Sequence, residues 1–159
     1  MKVRYRQNDA CNCGLYAVAN AVNDDKIIKP ERLVKGVNGH HILQLNNYLQ
    51  EDGEQYYIET LYKSIYSLKL PKGIEAVPDN PALICPLLMT VAFREGGKNH
   101  LIALRSFSDR SVQVIDSLRE DIITTTFAEL HEHYPVIFGL YAFVQHSGKD
   151  GEYMMLTPQ

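Results

Sequence analysis

Hydrophobic and polar positions follow two different rhythms along this chain. In the first half, apolar residues recur at helical spacing. Leu15, Val18, Ala19 and Val22 fall on one face of an alanine-rich segment, which predicts a helix over Gly14–Val22. Asn12 stands where an N-cap belongs, and Asn23-Asp24-Asp25 where the helix would end. Pro30 suits a first helical turn, so Pro30 to about Lys35 reads as a short helix. Ile42, Leu45 and Leu49, with Tyr48, predict another helix from His41 to about Leu49. Tyr56–Leu68 carries two readings: Tyr57, Leu61 and Ile65 fit a helix, whereas the tyrosines suit a strand. Lys69–Pro86 holds four of the seven prolines and reads as irregular crossing chain.

In the second half the rhythm changes to strands. Leu87–Phe93 is an apolar run closed by a turn over Arg94–Asn99. His100–Arg105 is a second strand, followed by a turn from Ser106 to Ser111. Val112–Asp116 is a third, with Val112 and Val114 alternating against Gln113. Thr124 to about His133 reads as a helix with Phe127 and Leu130 on one face, and Val136–Val144 as a last strand. Helices first and mostly antiparallel strands later predict an α+β fold. The chain has 159 residues and shows no repeat or composition break, so 1–159 reads as one domain.

Charge and composition narrow the function. Sixteen basic residues against 19 acidic ones leave a net charge of −3, which argues against an electrostatic nucleic-acid binder. No apolar run approaches the roughly 18–20 residues of a membrane span. The first nine residues are charged and polar with no apolar stretch behind them, so no signal peptide is expected. The expected location is cytoplasmic, with export by a route lacking a cleavable signal as the alternative. Three cysteines, Cys11, Cys13 and Cys85, are too few and too odd in number for a disulfide framework. Cys85, between Ile84 and Pro86, reads as a buried small hydrophobe.

Cys13 is different, because Gln7-Asn8-Asp9-Ala10-Cys11-Asn12-Cys13-Gly14 leads straight into the first helix. A thiol at a helix start feels unpaired N–H groups and the positive end of the dipole, which favour thiolate. Gly14 would leave room for a substrate backbone. The Gln7 amide and the Cys13 N–H are candidate donors to a developing oxyanion. A thiolate needs an imidazole as ion partner and proton shuttle, and that ring needs an acceptor to fix its tautomer. His100 opens a strand and Asp116 closes the next, so a hairpin brings the two to adjacent strand ends. A helix start earlier than Gly14 would make Cys11 a competing nucleophile; the Gln7 spacing and Gly14 favour Cys13.

Gln-x5-Cys-Gly at a helix start, then His on one strand and Asp on the next, resembles the papain-like cysteine peptidase superfamily. The spacing is similar to the compact peptidase domains of bacteriocin-exporting transporters, which carry Asp where this chain has Asn12. Cys13-Gly14-Leu15-Tyr16-Ala17, His100-Leu101-Ile102-Ala103-Leu104 and Val114-Ile115-Asp116-Ser117-Leu118 also resemble SUMO-protease-type enzymes in circularly permuted order. Josephin-type deubiquitinases share the order seen here, with Asn as the usual third member. The likeness covers two islands, about residues 7–22 and 98–118. It implies a helix carrying Cys13 packed on an antiparallel sheet carrying His100 and Asp116. The implied activity is cleavage of a peptide or isopeptide bond by Cys13, His100 and Asp116 with Gln7 at the oxyanion. The implied substrate is a protein or peptide, with ubiquitin or a ubiquitin-like modifier as the sharper version. By analogy, Asp25–Pro86 would carry the substrate-binding surface.

Rival readings stay open. Glutamine deamidation or acyl transfer needs the same triad, and a non-catalytic peptide-binding module needs only the scaffold. The ten tyrosines fit either a protein-binding surface or a sheet rim. Cys11-x-Cys13 with His40-His41 and His131-Glu132-His133 does not have the spacing of a structural zinc site. His40-His41 reads as a solvated turn, and Gly96-Gly97 lacks the flanks of a phosphate loop. No metal and no cofactor is expected.

Overall fold

The alternating segments build a single sheet against which the first two helices pack. A computed structural model describes residues 1–8, 11–35, 39–63, 85–92, 99–106, 111–126 and 129–146, apart from the side chains of Tyr62, Lys63, Cys85, Ser106 and His131. Its strands are β1 (Tyr56–Lys63), β2 (Cys85–Ala92), β3 (His100–Ser106), β4 (Ser111–Ile115), β5 (Ile123–Thr126) and β6 (Val136–Gln145). They pair in the order β1-β6-β2-β3-β4-β5, and each neighbouring pair is antiparallel. The helices are α1 (Cys13–Val22), α2 (Ile42–Glu51) and the single turn α3 (Leu130–His133), with a 3-10 turn at Pro30–Arg32. The fold is α+β.

Side-chain alternation splits the sheet into two buried faces. Leu88, Leu101, Ala103, Ile115, Tyr141 and Phe143 meet Leu15 and Val18 of α1 and Leu45 and Leu49 of α2. Leu87, Met89, Ile102, Leu104, Val114 and Leu140 lie on the other face with Leu130 and Tyr134. Each such Leu, Ile, Val, Met or Phe side chain contributes about 1.5–3 kcal/mol by leaving water. A one-residue slip would send every one of them to the wrong face, so burial on both sides fixes the register. That register sets the site. His100 begins β3 opposite Val91, and the β3–β4 pairing ends at Ala103–Ile115. Asp116 therefore leaves the sheet beside the end of β3 where His100 stands.

Three asparagines fasten extended segments by the same device. A side-chain amide offers one N–H donor and one acceptor, as a strand residue does, and can pair with both backbone groups of a single residue. Asn20 of α1 donates to Tyr5 O at 2.8 Å and accepts from Tyr5 N at 3.1 Å. Asn46 of α2 does the same with Ile58 at 2.9 and 2.6 Å, covering the outer edge of β1. Asn12 donates to Val34 O at 3.2 Å and accepts from Val34 N at 2.9 Å.

Several local expectations change. Asn12 holds the N-cap position but makes no cap bond, because its amide is committed to Val34. At the other end of α1, Asn23 adopts the left-handed conformation at φ 59°, which asparagine tolerates. The short helix at Pro30 closes after Arg32. Tyr56–Lys63 is strand, so one strand precedes the sheet-forming half. The helix expected from Thr124 is replaced by β5, where Ile-Thr-Thr-Thr is β-branched throughout. Helix is left only over the single turn from Leu130. His40 is half-buried rather than solvated: its Nε2 lies 2.8 Å from Arg32 O and its ring meets Tyr48 edge-on. The irregular stretch 69–84, the turns at 94–98 and 107–110, and Phe127 lie outside the described residues. So does the Cys85 side chain, whose burial was expected. Among the described residues, no helix is long and apolar enough to cross a membrane.

Asn20 is 2% exposed, so deleting its amide strands two backbone groups of the arm beneath it. Asn20→Ala should lower unfolding free energy by about 1–3 kcal/mol. Urea denaturation checks this; an unchanged midpoint would show that the pairing carries no stability.

Candidate active site

Cys13 is the first residue of α1, so its own N–H has no acceptor within the helix. α1 packs across β3, β2 and β4, which carries the half-buried Cys13 to the start of β3. There His100 and the backbone N–H groups of Leu101 and Gly14 act on the sulfur, each favouring the thiolate. Burial alone would push the thiol up. The His100 bond, the Leu101 N–H, the imidazolium charge and the Gly14 N–H outweigh it and hold the thiol below its ordinary value.

His100 serves two partners. Its Nε2 is 2.7 Å from Asp116 Oδ1, which leaves Nδ1 for the Cys13 sulfur. Burial would push the imidazole down, but the bonds and charges of Asp116 and Cys13 prevail and raise it to about 9. At neutral pH the imidazole therefore favours its charged form, and that charge shifts the neighbouring thiol toward thiolate.

Asp116 is 2% exposed and takes a donor on each flank. Oδ1 accepts from His100 and from Leu118 N at 3.0 Å, and Oδ2 accepts from Tyr134 Oη at 2.8 Å. Arg119 Nε lies 3.7 Å from Oδ2, and its guanidinium lies over the Tyr134 ring, 5.7 Å from the centroid. Burial would raise this carboxyl, but His100 and the Leu118 and Tyr134 donors hold it below the usual range. Tyr134 is pushed up by its burial and by the Asp116 charge, so its hydroxyl stays protonated as a donor.

Gln7 reaches the same turn from the amino terminus. The arm 1–8 runs beside the turn after β4: Val3 N donates to Glu120 O at 2.8 Å and Gln7 N to Ser117 O at 3.0 Å. The Ser117 hydroxyl donates to Gln7 Oε1. Asp116 and Ser117 are adjacent, so one turn holds His100 on one side and Gln7 on the other.

The structure thus connects all four candidate residues: Cys13 to His100, His100 to Asp116, and Gln7 to Ser117 beside Asp116. Cys11 lies before the helix, two residues from Cys13. Gly14 has a different role from the one expected. A Cβ there would lie 3.1 Å from His40 Cβ and 3.4 Å from Leu45 Cδ1, so the missing side chain makes room for packing rather than for substrate. Among the described residues, no group of three His, Cys, Asp or Glu is placed to hold a metal. Tyr134, Ser117 and Arg119 escaped the sequence reading. Ser117 had one available signal, its position directly after Asp116; Tyr134 had none, since it reaches the carboxylate from another element.

No protein-family model matches this chain, and no curated protein matches it. The functional reading therefore rests on the geometry and chemistry of these residues.

Two measurements probe the electrostatics. The His100 ring should titrate near 9, and Asp116→Asn should move the midpoint down toward 6.5, because the partner that favours the charged ring loses its charge. NMR of the ring protons reads this, and an unmoved midpoint would disconnect Asp116 from His100. Iodoacetamide should alkylate Cys13 rapidly at pH 6, and His100→Ala should slow it as the thiol returns toward its ordinary value. Peptide mass spectrometry reports each cysteine separately; equal, slow modification of both Cys11 and Cys13 would remove the activated thiolate.

Proposed function

We propose that this chain is a thiol hydrolase of the papain-like type that acts on an amide bond in a protein or peptide. The observation that carries the reading is the 2.7 Å bond between His100 and the buried Asp116 carboxylate, with the His100 ring acting on the Cys13 thiol at the start of α1. Cys13 thiolate attacks the carbonyl carbon, and the carbonyl electron pair becomes an oxyanion received by the Cys13 N–H and the Gln7 amide. His100 delivers its proton to the leaving amine as the C–N bond breaks, leaving a thioester on Cys13. Neutral His100 then takes a proton from water, whose oxygen attacks the thioester. Collapse releases the acid and restores the thiolate–imidazolium pair. Asp116 keeps the ring oriented and stabilises its charge throughout.

The likeness of the two islands to SUMO-protease-type and Josephin-type enzymes directs the substrate toward a ubiquitin-like modifier joined by an isopeptide bond. Proteins of this class carrying an electrophile at the carboxyl terminus test that directly, alongside isopeptide-linked conjugates and a peptide library. The expected result is covalent capture at Cys13 and cleavage that falls on the order of 10⁴-fold or more in Cys13→Ala. Full cleavage by Cys13→Ala would overturn the mechanism. The product mass separates cleavage, which breaks the chain, from deamidation, which leaves an intact target about one dalton heavier.

A further inference from the structure

Among the described residues two arginines are buried, and the fold treats them differently. Arg32, 5% exposed, is met by carboxylates. Its Nη1 and Nη2 donate to the two oxygens of Asp52, each at 2.8 Å, and Nη2 also donates to Glu51 Oε2 at 3.2 Å. Arg105, 1% exposed near the end of β3, has no such counter-charge among the described residues, and its Nε and Nη2 have no hydrogen-bond partner. Asp52 raises the pKa of Arg32, whereas burial lowers that of Arg105. A guanidinium keeps its proton in a protein, so the charge stays at Arg105 and its desolvation is uncompensated. The unmet donors also have a shape. Nε–H and Nη2–H lie on one edge of the guanidinium and point the same way, the fork that receives two oxygens of a carboxylate or phosphate. Directly opposite on β4 stands Gln113, 8% exposed, whose Oε1 is likewise buried without a partner. By alternation both residues share the sheet face of Ala103 and Ile115. A half-turn of the Gln113 carboxamide would bring its N–H donors to that position and give up no bond at Oε1.

We propose that Arg105, with Gln113 beside it, is a binding site for an oxyanion, a phosphate or carboxylate group held on two prongs by Nε and Nη2. The anion supplies to Arg105 the counter-charge that Asp52 supplies to Arg32. The site lies five residues along β3 from His100, roughly 17 Å away, and does not depend on the thiol-hydrolase reading. Because the fork is enclosed, an anion enters as the side chains over it part, and an equilibrium measurement reads its binding whatever the path.

Thermal unfolding of the full chain tests this, with inorganic phosphate and acetate as the two probes and chloride at equal ionic strength as the reference. A ligand that binds only the folded state raises the midpoint with its concentration. At a hundredfold excess over the half-saturating concentration the rise should be about 5–10 °C. A response to phosphate alone identifies a phosphate site, a response to acetate alone a carboxylate site, and a response to both a site for the chemistry the two share. Arg105→Met keeps the length of the side chain without its charge and should abolish the rise. Arg105→Lys keeps the charge without the fork and should shift the half-saturating concentration up on the order of 10-fold. The lysine variant also carries the test if the methionine variant does not fold. No rise over chloride with either probe in the unaltered protein overturns the proposal. So does an equal rise in the Arg105 variants, which would mark a general salt effect on the folded chain.

Discussion

A buried ionised carboxylate is the constraint on which this site is built. Removing Asp116 from water is costly unless its oxygens are met by donors. Here they are met by an imidazole, a backbone N–H and a phenol, with a guanidinium behind. Those donors come from three places in the chain: β3, the turn itself, and the segment after α3. Each must be in register for the carboxylate to remain charged, and the charged carboxylate in turn holds each of them. The sheet register, fixed by apolar burial on both faces, delivers Asp116 to the point where this satisfaction is available.

The constraint propagates outward along two routes. Through His100 it reaches the Cys13 thiol. Asp116 favours the imidazolium, and the imidazolium favours the thiolate, so charge at the sulfur is stabilised by a group it does not touch. Through the backbone it reaches Ser117, and from Ser117 it reaches Gln7 and the amino-terminal arm. That arm is held to the same turn by Val3 and to α1 by the Asn20–Tyr5 pairing. The helix carrying Cys13, the strand carrying His100 and the turn carrying Asp116 are thus tied together twice, once by those three side chains and once by the arm.

How much of this was legible depended on whether a feature is local. The apolar rhythm of Leu15–Val22 and Leu87–Ala92 exposes α1 and β2 because each pattern repeats within its own element. Cys13, His100 and Asp116 were legible for a related reason: a helix start and two strand ends are local landmarks that also decide where side chains meet. β5 was missed because Phe127 and Leu130 drew attention to a helical spacing, while the β-branched run at Ile123–Thr126 held the backbone extended. Tyr134 was illegible for a deeper reason. Its partner lies 18 residues away on another element, and no periodicity links them. The role of Gly14 failed differently, since a missing Cβ makes room on one side only and the sequence does not say which side.

Separation along the chain also explains why the arm is so heavily pinned. Gln7 and Ser117 are 110 residues apart, and closing a loop of that length costs conformational entropy before any contact repays it. One hydrogen bond contributes too little to hold such a closure. The arm instead distributes the cost over Val3, Tyr5 and Gln7, whose side chains turn inward while Arg4, Arg6 and Asn8 remain exposed. Alternation in this short segment does for Gln7 what alternation in the sheet does for His100. In each case burial of the residues on one side sets the register, and the register decides which way a polar side chain faces.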